Sequence, residues 1–183
     1  MNLPSTPPIL AGQRVTLRPL AADDVPLLAG WLFRPDVLHF LQISEDPPEL
    51  RTLEAIQERF ERMQADPWTL VWCIDTHAGR PIGQIELVDI HPLQRRAEMH
   101  MAIGEQDAWG GGYGSDALRT LLRFAFTELG LRRVFATPDE DNPRAIRAFE
   151  KCGFRREGIL REHRLRYGEP VNMLTLGVLS SEV

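Results

Sequence analysis

The residues of most evident chemical interest are Trp109, Gly110, Gly111, Gly112, Tyr113, Gly114 and Ser115, a run with four glycines in five positions. A strand-like segment, residues 95–103, precedes the run, and a strongly amphipathic segment follows it. Strand, glycine turn and helix start together aim free backbone N–H groups at an anion. Glycine suits such a turn because it lets a phosphate approach the backbone and because tight turns often need positive φ. The run therefore reads as a cradle for a phosphorylated ligand. No Lys-Ser or Lys-Thr pair follows the glycines. They also come late in a mixed strand pattern, so a nucleoside-triphosphate or dinucleotide site is a poor fit.

The elements that must hold this cradle follow from periodicity. Residues 10–20 alternate through Arg14, Val15, Thr16, Leu17 and Arg18, which predicts a strand. Asp23 and Asp24 read as the cap of a helix with Pro26 in its first turn, ending near Phe33. Residues 47–64 place Leu50, Leu53, Ile56, Phe60 and Met63 on one helical stripe. Strands are predicted at 68–75 and 80–89, with a His77-Ala78-Gly79 hairpin turn between them. Along 95–103, Met99, Met101 and Ile103 alternate with Glu98, His100 and Ala102, so one face is apolar and the other partly polar. A helix at 115–129 carries Leu118, Leu121, Leu122, Ala125 and Leu129 and stops at Gly130. A strand at 132–137, a helix at 142–151 capped by Asn142, and strands at 156–167 and 171–178 complete the chain. The order β-α-α-β-β-β-α-β-α-β-β predicts one mixed α/β (α+β) domain over 10–180, after a flexible segment 1–9.

Composition narrows the function classes. The 183 residues carry 21 Lys and Arg against 26 Asp and Glu, a net charge of −5, which argues against a general nucleic-acid binder. Arg155, Arg156, Arg161, Arg164 and Arg166 crowd one stretch, read as a local basic patch or, more simply, a solvated strand face. Cys73 and Cys152, far apart in sequence, lie in apolar surroundings and read as reduced, packed thiols, with a disulfide the second reading. The five histidines are scattered, and no Cys/His spacing suits a metal. The first ten residues lack a charged-then-apolar leader and no apolar run reaches membrane-spanning length. The expectation is a cytoplasmic protein with no membrane partner.

Three motifs in order then carry a family likeness. Gly112-Tyr113-Gly114 follows Trp109. Next comes Asn142-x-x-Ala145-x-x-x-Phe149-x-x-x-Gly153-Phe154, and after it Glu157-Gly158 with Arg161 and Gly168. Together they resemble the GNAT family of acetyl-CoA-dependent N-acetyltransferases. Its loop signature is Arg/Gln-x-x-Gly-x-Gly/Ala, and Trp109 stands where Arg or Gln is usual. The Trp-Gly-rich form is similar to the branch holding ribosomal-protein N-terminal and spermidine acetyltransferases. The likeness covers residues 10–180 and is strongest over 80–180.

The resemblance implies a sheet splayed between its fourth and fifth strands, with acetyl-CoA as cosubstrate and no metal. The amides of Gly110, Gly111, Gly112, Tyr113, Gly114 and Ser115 would take the pyrophosphate, with Ser115 either adding its hydroxyl or capping the helix. Main-chain groups of Met101 and Ile103 would pair with the pantetheine arm as a pseudo-strand. Asn142 would contact that arm or serve as a cap alone, and Phe149 would pack beside it. Arg144 and Arg147 would reach the adenosine phosphate or remain solvated.

Acetyl transfer needs a neutral amine, hence a proton acceptor. Glu98 is the first choice, directly or through water, against an ion pair to Arg95 or Arg96 or a hydrogen-bonded sheet carboxylate. Glu86 is second or binds a cationic substrate, and His100 is a weaker option. The family's usual Tyr is Phe149 here, which has no proton to give, so no general acid is assigned. Asp36, Glu45, Asp46 and Glu49 give the amine side an acidic look suited to a polyamine, an aminoglycoside or a basic N-terminus. They also fit solvated loop positions. A homodimer fits the branch. The reading from another class is a CoA-binding sensor or interaction module without catalysis. Phe149 keeps it open, while Glu98 and the intact cradle oppose it.

Overall fold

The computed structural model describes residues 3–41 and 51–183. The strands are β1 (Leu10–Ala11), β2 (Val15–Pro19), β3 (Leu70–Thr76), β4 (Pro81–His91), β5 (Arg96–Ile103), β6 (Arg133–Ala136), β7 (Arg155–Arg166) and β8 (Glu169–Leu179). They form one sheet in the order β1-β2-β3-β4-β5-β6-β8-β7. Among the described residues only β5 and β6 run parallel as neighbours; the other adjacent pairs are antiparallel. The helices are α1 (Val25–Leu32), α2 (Pro35–Leu38), α3 (Leu53–Ala65), α4 (Tyr113–Thr127) and α5 (Pro143–Glu150). The mixed α/β single domain is as expected.

Strand alternation divides the helices between the two faces of the sheet. Trp72, Ile85 and Met101 are cross-strand partners, and they join the core cluster that contains the buried faces of α4 and α5. The next row, Val71, Glu86 and His100, points the other way, where Val71 and Cys73 pack with α1 and α3. One face of β4 and β5 is therefore apolar beneath α4. The other carries Glu86, His100 and Glu98 towards α1 and α3.

Several local departures have clear causes. The first strand divides into β1 and β2 because the buried Asp116 carboxylate draws in the N–H groups of Arg14 and Val15, at 2.7 and 3.2 Å. Gly12 passes so close that an added Cβ would lie 2.5 Å from Asp116 Oδ2. Asp24 does not cap α1 with its side chain; its carboxylate instead holds Arg18 and the Ala21 N–H, at 2.7 and 2.9 Å. α2 was not anticipated. α3 starts at Leu53, capped by Thr52, whose Oγ1 accepts the Ala55 N–H at 3.1 Å; positions 47–50 of the expected helix lie outside the described residues. Residues 3–9 are anchored rather than free: Trp72 Nε1 donates to the Pro8 carbonyl at 2.8 Å and Leu3 packs on the core.

Candidate active site

The site begins where the parallel ladder stops. β5 and β6 pair from Arg96/Arg133 to Glu98/Phe135 and no further, although β5 continues to Ile103 against β4. Main-chain groups beyond Glu98 that face away from β4 are thus left without strand partners. α5 and the Gly110–Gly112 turn flank this gap.

Helix α4 begins two residues earlier than periodicity predicts, with Gly112 as its N-cap at φ 81°. The first bond of the helix runs from the Asp116 N–H to the Gly112 carbonyl at 3.0 Å. The N–H groups of Tyr113, Gly114 and Ser115 therefore precede the ladder and remain available to an anion. Gly110 also has positive φ, 77°. At both glycines an added Cβ meets nothing closer than 3.8 Å, so it is the left-handed backbone that demands glycine. Ser115 lies inside the helix and is not its cap.

A groove of about 400 Å³ runs along this turn, lined by Met101, Ile103, Gly110, Gly112, Gly114, Ser115, Asn142 and Arg147, with Arg144 and Lys151. Gly111 and Tyr113 are not on its wall: the Gly111 N–H is turned to the Ala108 carbonyl, and the Tyr113 ring lies against Gly111. The Ile103 carbonyl is already engaged by Trp109 Nε1 at 2.9 Å. The Arg144 guanidinium sits 3.6 Å above the Trp109 ring, a cation–π contact. It places a cation at the turn whose own sequence lacks the usual Arg or Gln. Asn142 caps α5 through Oδ1 and also lines the groove; no partner for its Nδ2 is present among the described residues.

A second cavity, about 140 Å³, opens on the α1 and α3 side and shares Phe40, Leu41, Met101, Ala102, Asn142 and Ala145 with the first. The two spaces meet at the splay. On the second wall stand Glu86 and His100. His100 Nδ1 lies 3.2 Å from Glu86 Oε1, and its Nε2 lies 3.3 Å from Glu98 Oε1. Thr137 donates to the same Glu98 oxygen. Burial alone would lower the imidazole pKa, but the two carboxylates raise it to about 9. His100 is therefore an imidazolium at neutral pH and cannot act as the base. Burial pushes Glu98 up, yet hydrogen bonds from His100 and Thr137 outweigh it and hold the carboxyl below its usual range. One cation thus lies between the two carboxylates, in contact with each. Glu98 pairs with neither Arg95 nor Arg96; Arg96 turns to Asp89 at 3.1 Å. Glu98 stands one hydrogen bond behind the wall that Glu86 and His100 form.

Phe149 is buried, edge-on to Phe154 at 4.9 Å, and borders the second cavity rather than the groove. Periodicity gave no notice of Thr137, Arg59, Asp139 or of the inward turn of Arg164. A bulge in β7 between Leu160 and Arg164, with Glu162 at φ 49°, tips Arg164 out of an otherwise exposed strand onto Asp139. Nε lies 2.8 Å from Oδ1, and the two side chains are 5% and 2% exposed. Arg166 pairs with Asp141, Arg155 with Glu182 and Arg156 with Glu150, so the arginine-rich stretch is largely neutralised and not a basic patch. Asp36 hydrogen-bonds Gln106 and pairs with Arg34; Glu45, Asp46 and Glu49 lie outside the described residues. Cys73 and Cys152 are free and buried. Among the described residues, no helix is long and apolar enough to cross a membrane, and no group of side chains could hold a metal ion.

Comparison with known proteins agrees with this geometry. The family described as "Acetyltransferase (GNAT) domain" matches residues 14–155. The chain is 25% identical over 173 residues to an "Uncharacterized N-acetyltransferase p20" of Bacillus licheniformis, covering 93% of this chain and 95% of that protein. It is 24% identical over 169 residues to a spermidine N(1)-acetyltransferase of Vibrio cholerae, covering 92% and 95%. A crystal structure of the Vibrio cholerae spermidine N-acetyltransferase in complex with CoA and spermine superposes with a TM-score of 0.82, at 24% identity over 92% of this chain and 97% of that one. The splayed sheet and the glycine turn are thus those of the GNAT acetyltransferases, the family to which this chain belongs, whose members move acetyl from acetyl-CoA to an amine.

Proposed function

We propose that the chain acetylates a primary amine in a ternary complex, with the pyrophosphate on the Gly112–Ser115 helix start and the amine seated against Glu86 and His100. The observation that carries this reading is the Glu86–His100–Glu98–Thr137 hydrogen-bonded row, on and just behind the wall of the second cavity, which meets the first at the splay. The thioester lies at the open edge of β5, where a main-chain N–H polarises its carbonyl and stabilises the developing oxyanion. Glu86 faces the incoming ammonium. Glu98, ionised at neutral pH and just behind the wall, accepts its proton through a water.

The amine then attacks the carbonyl carbon, the tetrahedral intermediate gives up the surplus proton on its nitrogen to water and collapses to the neutral amide, and the C–S bond breaks. Phe149 offers no proton, so CoA leaves as a thiolate, which is tolerable for a thiol of ordinary pKa about 8–9. The amine acceptor has the support of the relatives, one of them named for spermidine. The two free, buried cysteines suit a reducing, cytoplasmic setting. The exposed edge strand β7 offers a surface for the homodimer that the branch suggests.

Glu98→Gln tests the assignment. It is expected to lower kcat on the order of 10²–10⁴-fold while acetyl-CoA affinity is kept, whereas Glu86→Gln raises KM for the amine. A near-normal kcat in Glu98→Gln removes Glu98 from the mechanism.

A further inference from the structure

The charged side chains on the wall of the acceptor cavity engage one another, with one exception among the described residues. Glu86 and His100 are bonded to each other, and Asp139 and Arg164 form a two-pronged pair. The remaining charged side chain on the wall is Arg59. It projects from α3, which covers the sheet face that carries Glu86 and His100. It is half-buried, flanks the apolar stripe of Ile56 and Phe60, and has no hydrogen-bond or ion-pair partner among the described residues.

A partly desolvated guanidinium facing a cavity is a fork for a carboxylate or a similar planar anion. The cavity thus offers a carboxylate end, at Glu86, and a cationic end, at Arg59. A polyamine would place a positive charge at both. A zwitterion matches both.

We propose that the acceptor is a small primary amine that also carries an anionic group, carboxylate being the simplest, seated on Arg59. This inference rests on the acetyl-transfer reading and names its substrate class. A charge-assisted hydrogen bond to a carboxylate corresponds to about 10- to 100-fold in kcat/KM.

The experiment measures CoA thiol release from acetyl-CoA by the full chain with matched pairs of acceptors, amino acids against their carboxamides, and with spermidine. The expected result is a preference of at least about 10-fold for the carboxylate member of the best pair. Arg59→Gln abolishes that preference and leaves the carboxamide rate unchanged, and Arg59→Lys retains part of it. A carboxamide or spermidine used as well as the carboxylate overturns the inference but leaves acetyl transfer standing. So does an Arg59→Gln variant that slows both members of a pair equally. If no amine of the panel is acetylated while acetyl-CoA still binds, the acetyl-transfer reading itself fails, and this inference with it.

Discussion

Replacing His100 by asparagine removes the one cation that lies between Glu86 and Glu98, and the structure sets the size of the effect. The imidazole pKa is raised from 6.5 to about 9 in the folded protein, a gap of about 2.5 pH units. At about 1.4 kcal/mol per unit, the gap caps the pH-linked stabilisation near 3 kcal/mol. A third of the His100 side chain is open to solvent, and screening there reduces the working figure to about 1–2 kcal/mol. The sign follows from proton binding: between pH 6.5 and 9 the folded state holds a proton that the unfolded state has lost. Stability from this group is therefore complete below pH 6.5 and disappears as pH rises through 9.

Urea unfolding of wild type and His100→Asn at pH 6.0, 7.5 and 9.5 reads the effect directly. Wild type should lose about 1–2 kcal/mol more than the variant between the first and last pH. Parallel stability curves would refute the argument, because they would mean that His100 is not held as an imidazolium by its two carboxylates. Unfolding midpoints compared at a single pH would not serve, since the substitution also changes packing; the difference in slope isolates the proton.

Two further perturbations test the scaffold. Gly112→Val forces a β-branched residue into a φ of 81°. Acetyl-CoA affinity should fall at least about 10-fold as the turn re-forms and the free N–H groups lose their aim; an unchanged dissociation constant, by titration calorimetry on a folded variant, would exclude the turn as the cradle. Asp139→Asn removes the carboxylate that Arg164 and Arg166 share and should cost about 2–3 kcal/mol in chemical unfolding, the size of a charge-assisted hydrogen bond; a loss below about 1 kcal/mol would show that the pair contributes little to the fold.

Legibility in the sequence tracked how local each signal was. α4 and α5 were readable because their apolar stripes, Asn142 and the glycine turn act within a few residues of themselves. The alternation of Glu98, His100 and Ala102 correctly put the polar row on one face of β5. What was hidden depended on register between distant strands. Thr137 meets Glu98 only because β6 runs parallel to β5. Arg164 looked like one of five solvated arginines until a bulge turned it onto Asp139, 25 residues away in sequence. Asp24 resembled a helix cap and was instead drawn to Arg18 by a charge-assisted bond, which competes well with a neutral backbone donor. Arg59 had only a position beside an apolar stripe to recommend it.

The early end of the β5–β6 ladder carries a consequence for the economy of the free protein. An open strand edge is a liability that folded chains ordinarily cover, charge or shorten, and here it lies at the centre of the sheet rather than at its margin. A ligand that pairs along it serves as an interior strand supplied from solution. Its binding free energy then counts towards folding, about 2.7 kcal/mol at a hundredfold excess over its dissociation constant. On the proposed seating of acetyl-CoA, a chain built this way is most completely folded when its cosubstrate is abundant, and the supply of acetyl-CoA and the persistence of the enzyme are tied through the same gap.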